Sequence, residues 1–122
     1  MRSDVLIGDK TVALVSNGAT VLYYRNIFSE DFLKFFSDLN EGKISESDAI
    51  EPLTKLTYVM HLQALATDGD KTARSTLRSG GKSDGYLEWL EEFNPLDIPL
   101  ASQEILTVYT GNLEELESPK KE

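Results

Sequence analysis

His61 is the only histidine in the chain. A catalytic triad built on it would need a hydroxyl and an acid brought up from elsewhere, and no nucleophile-elbow pattern surrounds it. A metal site would need several carboxylate partners. The residue therefore reads as a surface or half-buried histidine on a helix. Gly80-Gly81-Lys82-Ser83 has the ending of a phosphate-binding loop. The full motif requires a glycine five residues before Gly81 and a preceding strand, but Thr76 stands there and no strand precedes it. Asp68-Gly69-Asp70 opens like a calcium loop. Thr72, Ala73 and Ser79 then occupy the fifth, sixth and twelfth positions, where an acid or amide, a glycine and a glutamate belong. Glu91-Glu92 and Glu114-Glu115 are adjacent pairs whose side chains diverge on a helix, so neither is an acid–base pair. There is no cysteine, which removes disulfides, thiolate metal sites and cysteine nucleophiles. On these residues the chain is expected to be neither an enzyme nor a holder of a cofactor or metal.

The chain offers aromatic density instead. Tyr23, Tyr24, Phe28, Phe32, Phe35, Phe36, Trp89 and Phe93 fall into two clusters. Phe28, Phe32, Phe35, Phe36 and Leu39 follow the spacing of one helical face and read as core. Tyr24, Phe28, Trp89 and Phe93 lie near expected helix ends and are the candidates for contact with a protein partner. Trp89 in particular falls off the Tyr86–Leu90–Phe93 line, and a partly exposed Trp is a common interface anchor.

These residues must be positioned by a domain of 122 residues, 40% hydrophobic and 27% charged. That is the composition of a globular protein able to bury a core. The net charge of -9 argues against nucleic acid as a partner. No apolar run approaches the roughly 20 residues that span a bilayer, so no membrane is expected. The N-terminus lacks a signal-peptide pattern, which implies a cytoplasmic protein.

The pattern predicts an α+β fold, mainly α: an N-terminal β-hairpin packed on four to five helices. Residues 4–15 read as the hairpin, with Gly8-Asp9 at its tip. Residues 19–28 read as a helix, with Asn17 or Thr20 as its cap. A second helix starts at Ser29-Glu30-Asp31 and ends at Gly42. The longest lies between Ser45 or Ser47 and Thr67. Ile50, Leu53, Leu56, Met60 and Ala64 form its apolar face, and Pro52 is expected only in its first turn. Residues 68–83, polar and carrying Lys71, Arg74, Arg78 and Lys82, read as a mobile loop with at most one helical turn. Tyr86 to Phe93 returns to helical spacing. A last helix runs from Leu96 to Thr110, with Ile98, Ala101, Ile105 and Val108 inward and Gly111 as its stop. The whole forms one globular domain over residues 1–111, followed by a disordered charged tail over 112–122.

Several of these segments occur in a recognisable order. IGDKTVALV is followed by Thr20, Tyr23, Tyr24, Arg25 and Phe28, then by SEDFLKFF, LTYVMHLQA, YLEWLEEFNPLDI and a Pro119-Lys120-Lys121 ending. The sequence resembles the tail assembly chaperones encoded just before the tape measure protein in siphophages and related prophages of Gram-positive bacteria. Ala19-Thr20-Val21 departs from that family's Thr-Pro, and Ser29 stands where the family often has Gly. The resemblance implies a mainly helical fold and binding to the tape measure protein, a long helical chain that must be kept soluble. It also implies recruitment of tail tube protein, with a frameshift-extended form of the chain taking part, and Pro119-Lys120-Lys121 sits where the frameshift would fall. Self-association into a homo-oligomer, action in the host bacterial cytoplasm and absence from the mature virion complete the expectation. Two competing readings are a structural tail completion or connector component of the virion, and a small hydrolase using His61.

Overall fold

The computed structural model describes residues 1–80 and 83–111. The fold is α+β and mainly helical, with an N-terminal two-stranded hairpin. β1 (Arg2–Ile7) and β2 (Lys10–Val15) pair antiparallel from Arg2 opposite Val15 to Ile7 opposite Lys10. Gly8 takes φ 65° at the first turn position and Asp9 does not share the positive φ, the pattern of a II′ turn. A Cβ on Gly8 would lie 2.4 Å from Asp97 Oδ2, so the tip is closed to larger residues twice over, by conformation and by contact. Val5, Ile7, Val12 and Leu14 point to one buried face, as the two-residue strand period requires.

α1 (Thr20–Phe28) and α2 (Phe32–Asn40) follow. The cap expected from Asn17 or Thr20 is not made in that form. Ala19 is the capping residue, without a side-chain bond, and Asn17 Oδ1 accepts the Ala19 N–H at 2.8 Å. Thr20 is turned inward, where its hydroxyl donates to Gln63 Oε1 at 2.7 Å. Ser29 does not start α2. It closes α1 in the left-handed region at φ 55°, and Asp31 caps α2 by accepting from the N–H groups of Leu33 and Lys34.

α3 (Glu46–Thr67) has 22 residues, about 33 Å of helix. Ser45 caps it by accepting from Asp48 N. The helix starts well before Pro52, which lies inside it rather than in its first turn. The N–H that proline lacks would have met the carbonyl of Asp48. Asp48 is an exposed residue, so water can serve that oxygen and the helix runs on. α3 packs against β2 and against every other helix of the described chain.

Within the segment expected to be a mobile loop, residues 71–79 form a helix. Asp70 accepts the Ala73 N–H at 2.9 Å and starts α4 (Lys71–Ser79), which ends at Gly80 with φ 92°. Ala73 and Leu77, four apart, are buried against α1 and α3. α5 (Ser83–Leu90) comes next. The expected single helix over 96–110 is two, α6 (Asp97–Leu100) and α7 (Ser102–Thr110). The last turn of α6 tightens, with Ala101 N–H bonded three residues back to Ile98 O, a 3₁₀-type connector. Ile98, Ala101, Ile105 and Val108 are all buried as expected, and α7 stops at Gly111 with φ 58°. Lys82 and the charged segment 112–122 lie outside the described residues.

Ser29 is the only non-glycine residue with positive φ among those described. A side chain in that conformation costs about 1–2 kcal/mol per residue relative to glycine's freedom. Ser29→Gly is therefore expected to raise stability by roughly 0.5–1 kcal/mol. The urea midpoint should move up at constant slope; an unchanged or lower midpoint would show that the turn carries no strain.

Candidate docking groove and the aromatic spine behind it

α1 brings Tyr24 and Phe28, one turn apart, against α2 and α3. Their rings stand 5.3 Å apart, and Tyr24 lies 5.1 Å from Phe32. Phe28 meets Tyr86 at 5.0 Å, Tyr86 meets Tyr58 at 5.3 Å, and Tyr58 meets Trp89 at 5.5 Å. Trp89 then meets Phe93 at 4.9 Å. At the other end Tyr109 links Phe32 and Phe36 at 5.0 and 5.2 Å. The four sequence candidates thus belong to one continuous spine of rings, joined through Tyr58 and Tyr86. Most neighbouring rings are tilted or edge-to-face, the arrangement aromatic pairs prefer.

That placement corrects one expectation. Tyr24 is only 1% exposed, because α2 folds back over it, and it is a core side chain rather than a contact for a partner. Phe28, Trp89 and Phe93 are half-buried. Lys55 lies over the Phe28 ring at 5.2 Å and bonds Glu30 and Glu51, each at 2.9 Å. Burial pulls its pKa down, but the two carboxylates outweigh burial and hold it above the ordinary lysine value. His61 Nδ1 lies 3.0 Å from Ala13 O. A carbonyl only accepts, so this nitrogen carries the proton. The ring stacks on Trp89 at 5.8 Å. His61 thus ties β2 to α3 and α5.

Phe93 lines one of two adjoining concavities. A groove of about 560 Å³ runs between the start of α3, the segment after α2, and the α6–α7 corner, with Leu39, Ile44, Ile50, Leu53, Ile98 and Leu106 in its walls. A second depression of about 350 Å³ continues it past Leu90, Phe93 and Pro95 and shares Ile50, Ile98 and Pro99 with the first. Ile50, which lines both, is 42% exposed; Leu96 and Leu100, which line neither, are 65% and 82% exposed. Single exposed leucines are ordinary, but a contiguous apolar patch lining a groove marks an interaction site. Glu46, Ser47 and Ser102 are the polar groups among its lining residues. The rest of its lining is mainly aliphatic.

Sequence reasoning places Ile50 inward, yet the groove leaves it open. Leu96 and Leu100 were discernible as the outward complement of the Ile98–Ala101–Ile105–Val108 stripe. The concavity itself joins residues 39, 44, 50 and 98, which no local period connects. Among the described residues no helix is long and apolar enough to cross a membrane. No family model, curated protein or solved structure matches the chain.

Burial raises the pKa of four tyrosines. For Tyr24 the Glu30 charge adds to burial, for Tyr86 the charges of Glu51 and Glu30, and for Tyr58 that of Glu88, while Tyr109 is raised by burial alone. In the unfolded chain these phenols ionise near pH 10; in the fold they ionise later. Above pH 10 the unfolded state then binds fewer protons, so stability is fully present below that pH and falls as pH rises beyond it. Ultraviolet titration should show these phenols ionising only together with loss of the fold. Ionisation at the ordinary value with circular dichroism unchanged would show that the spine is open to water.

Proposed function

We propose that the chain is an assembly chaperone that holds an apolar helix of a partner protein in the groove beside α6, and that the partner is the tape measure protein of a long-tailed bacteriophage. The observation that carries the reading is the aliphatic groove lined by Leu39, Ile44, Ile50, Leu53, Ile98 and Leu106 and continued past Leu90 and Phe93. The choice of partner rests on the order of sequence segments that resembles the tail assembly chaperones.

An amphipathic helix docks in such a groove through side chains at i, i+3 or i+4, and i+7. A tape measure chain presents such faces along its length and aggregates while they are bare. The groove is open along one side, so it covers a face without enclosing the helix, and release stays possible. The net charge of -9 disfavours association of loaded complexes with one another. In this reading the chain works in the host cytoplasm, self-associates along its client, and recruits tail tube subunits directly or through a frameshift-extended form of itself. It leaves before the particle is complete, whereas a structural completion or connector component would stay.

The test is co-expression with the product of the gene immediately downstream, followed by pull-down and a solubility comparison. The downstream product should be soluble only when the chain is present. Ile50→Asp should weaken binding by about tenfold or more, since burying an isoleucine side chain is worth roughly 1.5–3 kcal/mol. Its urea midpoint should move little, because Ile50 is 42% exposed. A variant that rescues as well as the parent would remove the groove from the mechanism. Finding the chain in purified particles would favour the connector reading.

A further inference from the structure

The charges are unevenly spread. Arg2, Lys10, Lys34, Lys43 and Lys55 each sit in an ion pair. Lys71, Arg74 and Arg78 are different, as is Arg25 on α1: among the described residues no carboxylate stands within ion-pair distance of them. Lys71, Arg74 and Arg78 recur at i, i+3 and i+7 on one face of α4, a stripe about 10 Å long. All three are exposed. This stripe lies in a chain whose acids outnumber its bases by 21 to 12.

The helix carrying the stripe is firmly seated. Ala73 and Leu77 anchor it in the core. Asn26 Nδ2 donates to the carbonyls of Leu77 and Arg78 at 3.1 and 3.4 Å. A Cβ on Gly80 would fall 2.6 Å from Asn26 O, so α1 and the end of α4 meet at backbone distance. Arg74 and Arg78 border a cleft of about 130 Å³ whose other walls include Asn17, Tyr23, Gln63 and Thr67. Gln63 donates to Asn17 and accepts from Thr20, and the Thr67 hydroxyl donates to Gln63 O. The two guanidinium groups are the charged donors at the cleft, and they suit an oxyanion.

We propose that Lys71, Arg74 and Arg78 form a docking surface for an acidic helix of a protein partner, one of whose carboxylates enters the cleft between Arg74 and Arg78. A helix with glutamates at i, i+3 and i+7 repeats the spacing of the stripe. The cleft is well below the roughly 300 Å³ at which ligand-sized sites begin, which fits a single carboxylate side chain rather than a nucleotide. A polyphosphate backbone would also lay dense negative charge across an acidic protein. At about 0.1 M salt the screening length is about 10 Å, so the local stripe outweighs the more distant acids. The surface lies about 20 Å along α3 from the apolar groove, and its test is independent of the groove.

The probe is a fluorescently labelled alanine-based helical peptide with glutamates at i, i+3 and i+7, its binding to the full chain followed by anisotropy at about 0.1 M salt. The parent chain should bind it saturably. Arg74→Gln/Arg78→Gln should weaken binding by about tenfold or more, and Lys71→Gln by a smaller factor. Arg74→Lys/Arg78→Lys should retain part of it, and the groove variant Ile50→Asp all of it. Circular dichroism of each variant should match the parent; if the double glutamine variant fails to fold, Lys71→Gln against the parent decides. Absence of saturable binding, equal affinity in the glutamine variants, or tighter binding of single-stranded RNA of similar length would overturn the proposal.

Discussion

A helix buried on nearly every side is the constraint on which this molecule depends. From Leu53 to Ala66, α3 turns buried side chains in almost all directions. A helix without a polar face is stable only when other elements cover it completely. The hairpin covers one side, α1 and α4 another, and α5, α6 and α7 close the rest. Two short strands would be marginal alone. They persist because Val12 and Leu14 belong to the same core as Val59 and Met60. His61 and the Thr20–Gln63–Asn17 bonds then set where the cover sits. Polar groups in such a position must be satisfied, and among the described residues no buried side-chain polar atom lacks a partner.

The cover runs out at the two ends of α3, and both candidate surfaces lie there. At the first end α2 and the α6–α7 corner stand apart, leaving Ile50 and the groove. At the other, α4 crosses the last turns with only Ala73 and Leu77 to bury, so the rest of its surface is free to be polar. The aromatic spine runs between them and supplies stiffness. Rings locked edge to face have few alternative rotamers, so the groove wall at Phe93 is tied through Trp89, Tyr58 and Phe28 to the centre of the fold.

Much of the framework was legible in the sequence because it rests on short-range rules. Gly8-Asp9 between two β-prone runs specified the hairpin. Ser45 with Asp48 marked the start of α3, and the 98–101–105–108 stripe marked the inner face of the last helices. What escaped depends on long-range contact. α4 has two apolar residues in nine and looks like a loop until α1 and α3 are there to receive Ala73 and Leu77. Tyr24 has the composition of an interface anchor and becomes core only because α2 folds back at Ser29. Pro52 looked like a limit on α3, yet an exposed Asp48 lets a proline sit inside the helix. The candidate contacts near Phe93 were found through aromatic density, whereas Ile50 needed the shape of the groove.

The exposed leucines carry an argument of their own. Leu96 and Leu100 stand one turn apart on a segment framed by Pro95 and Pro99. The ring of Pro99 presets helical backbone in that first turn, and the tightened turn at Ala101 sends α7 off anew. This geometry directs Ile98 and Ala101 inward and leaves the two leucines exposed. Exposed leucines are ordinary on a folded surface, and Leu6, Leu22, Leu33 and Leu87 are each more than half exposed as well. Ile50 differs, because it stands in the wall of a concavity with Leu53, Ile98 and Leu106 rather than alone. The first turns of α3 are thus the part of that helix which its own chain leaves uncovered.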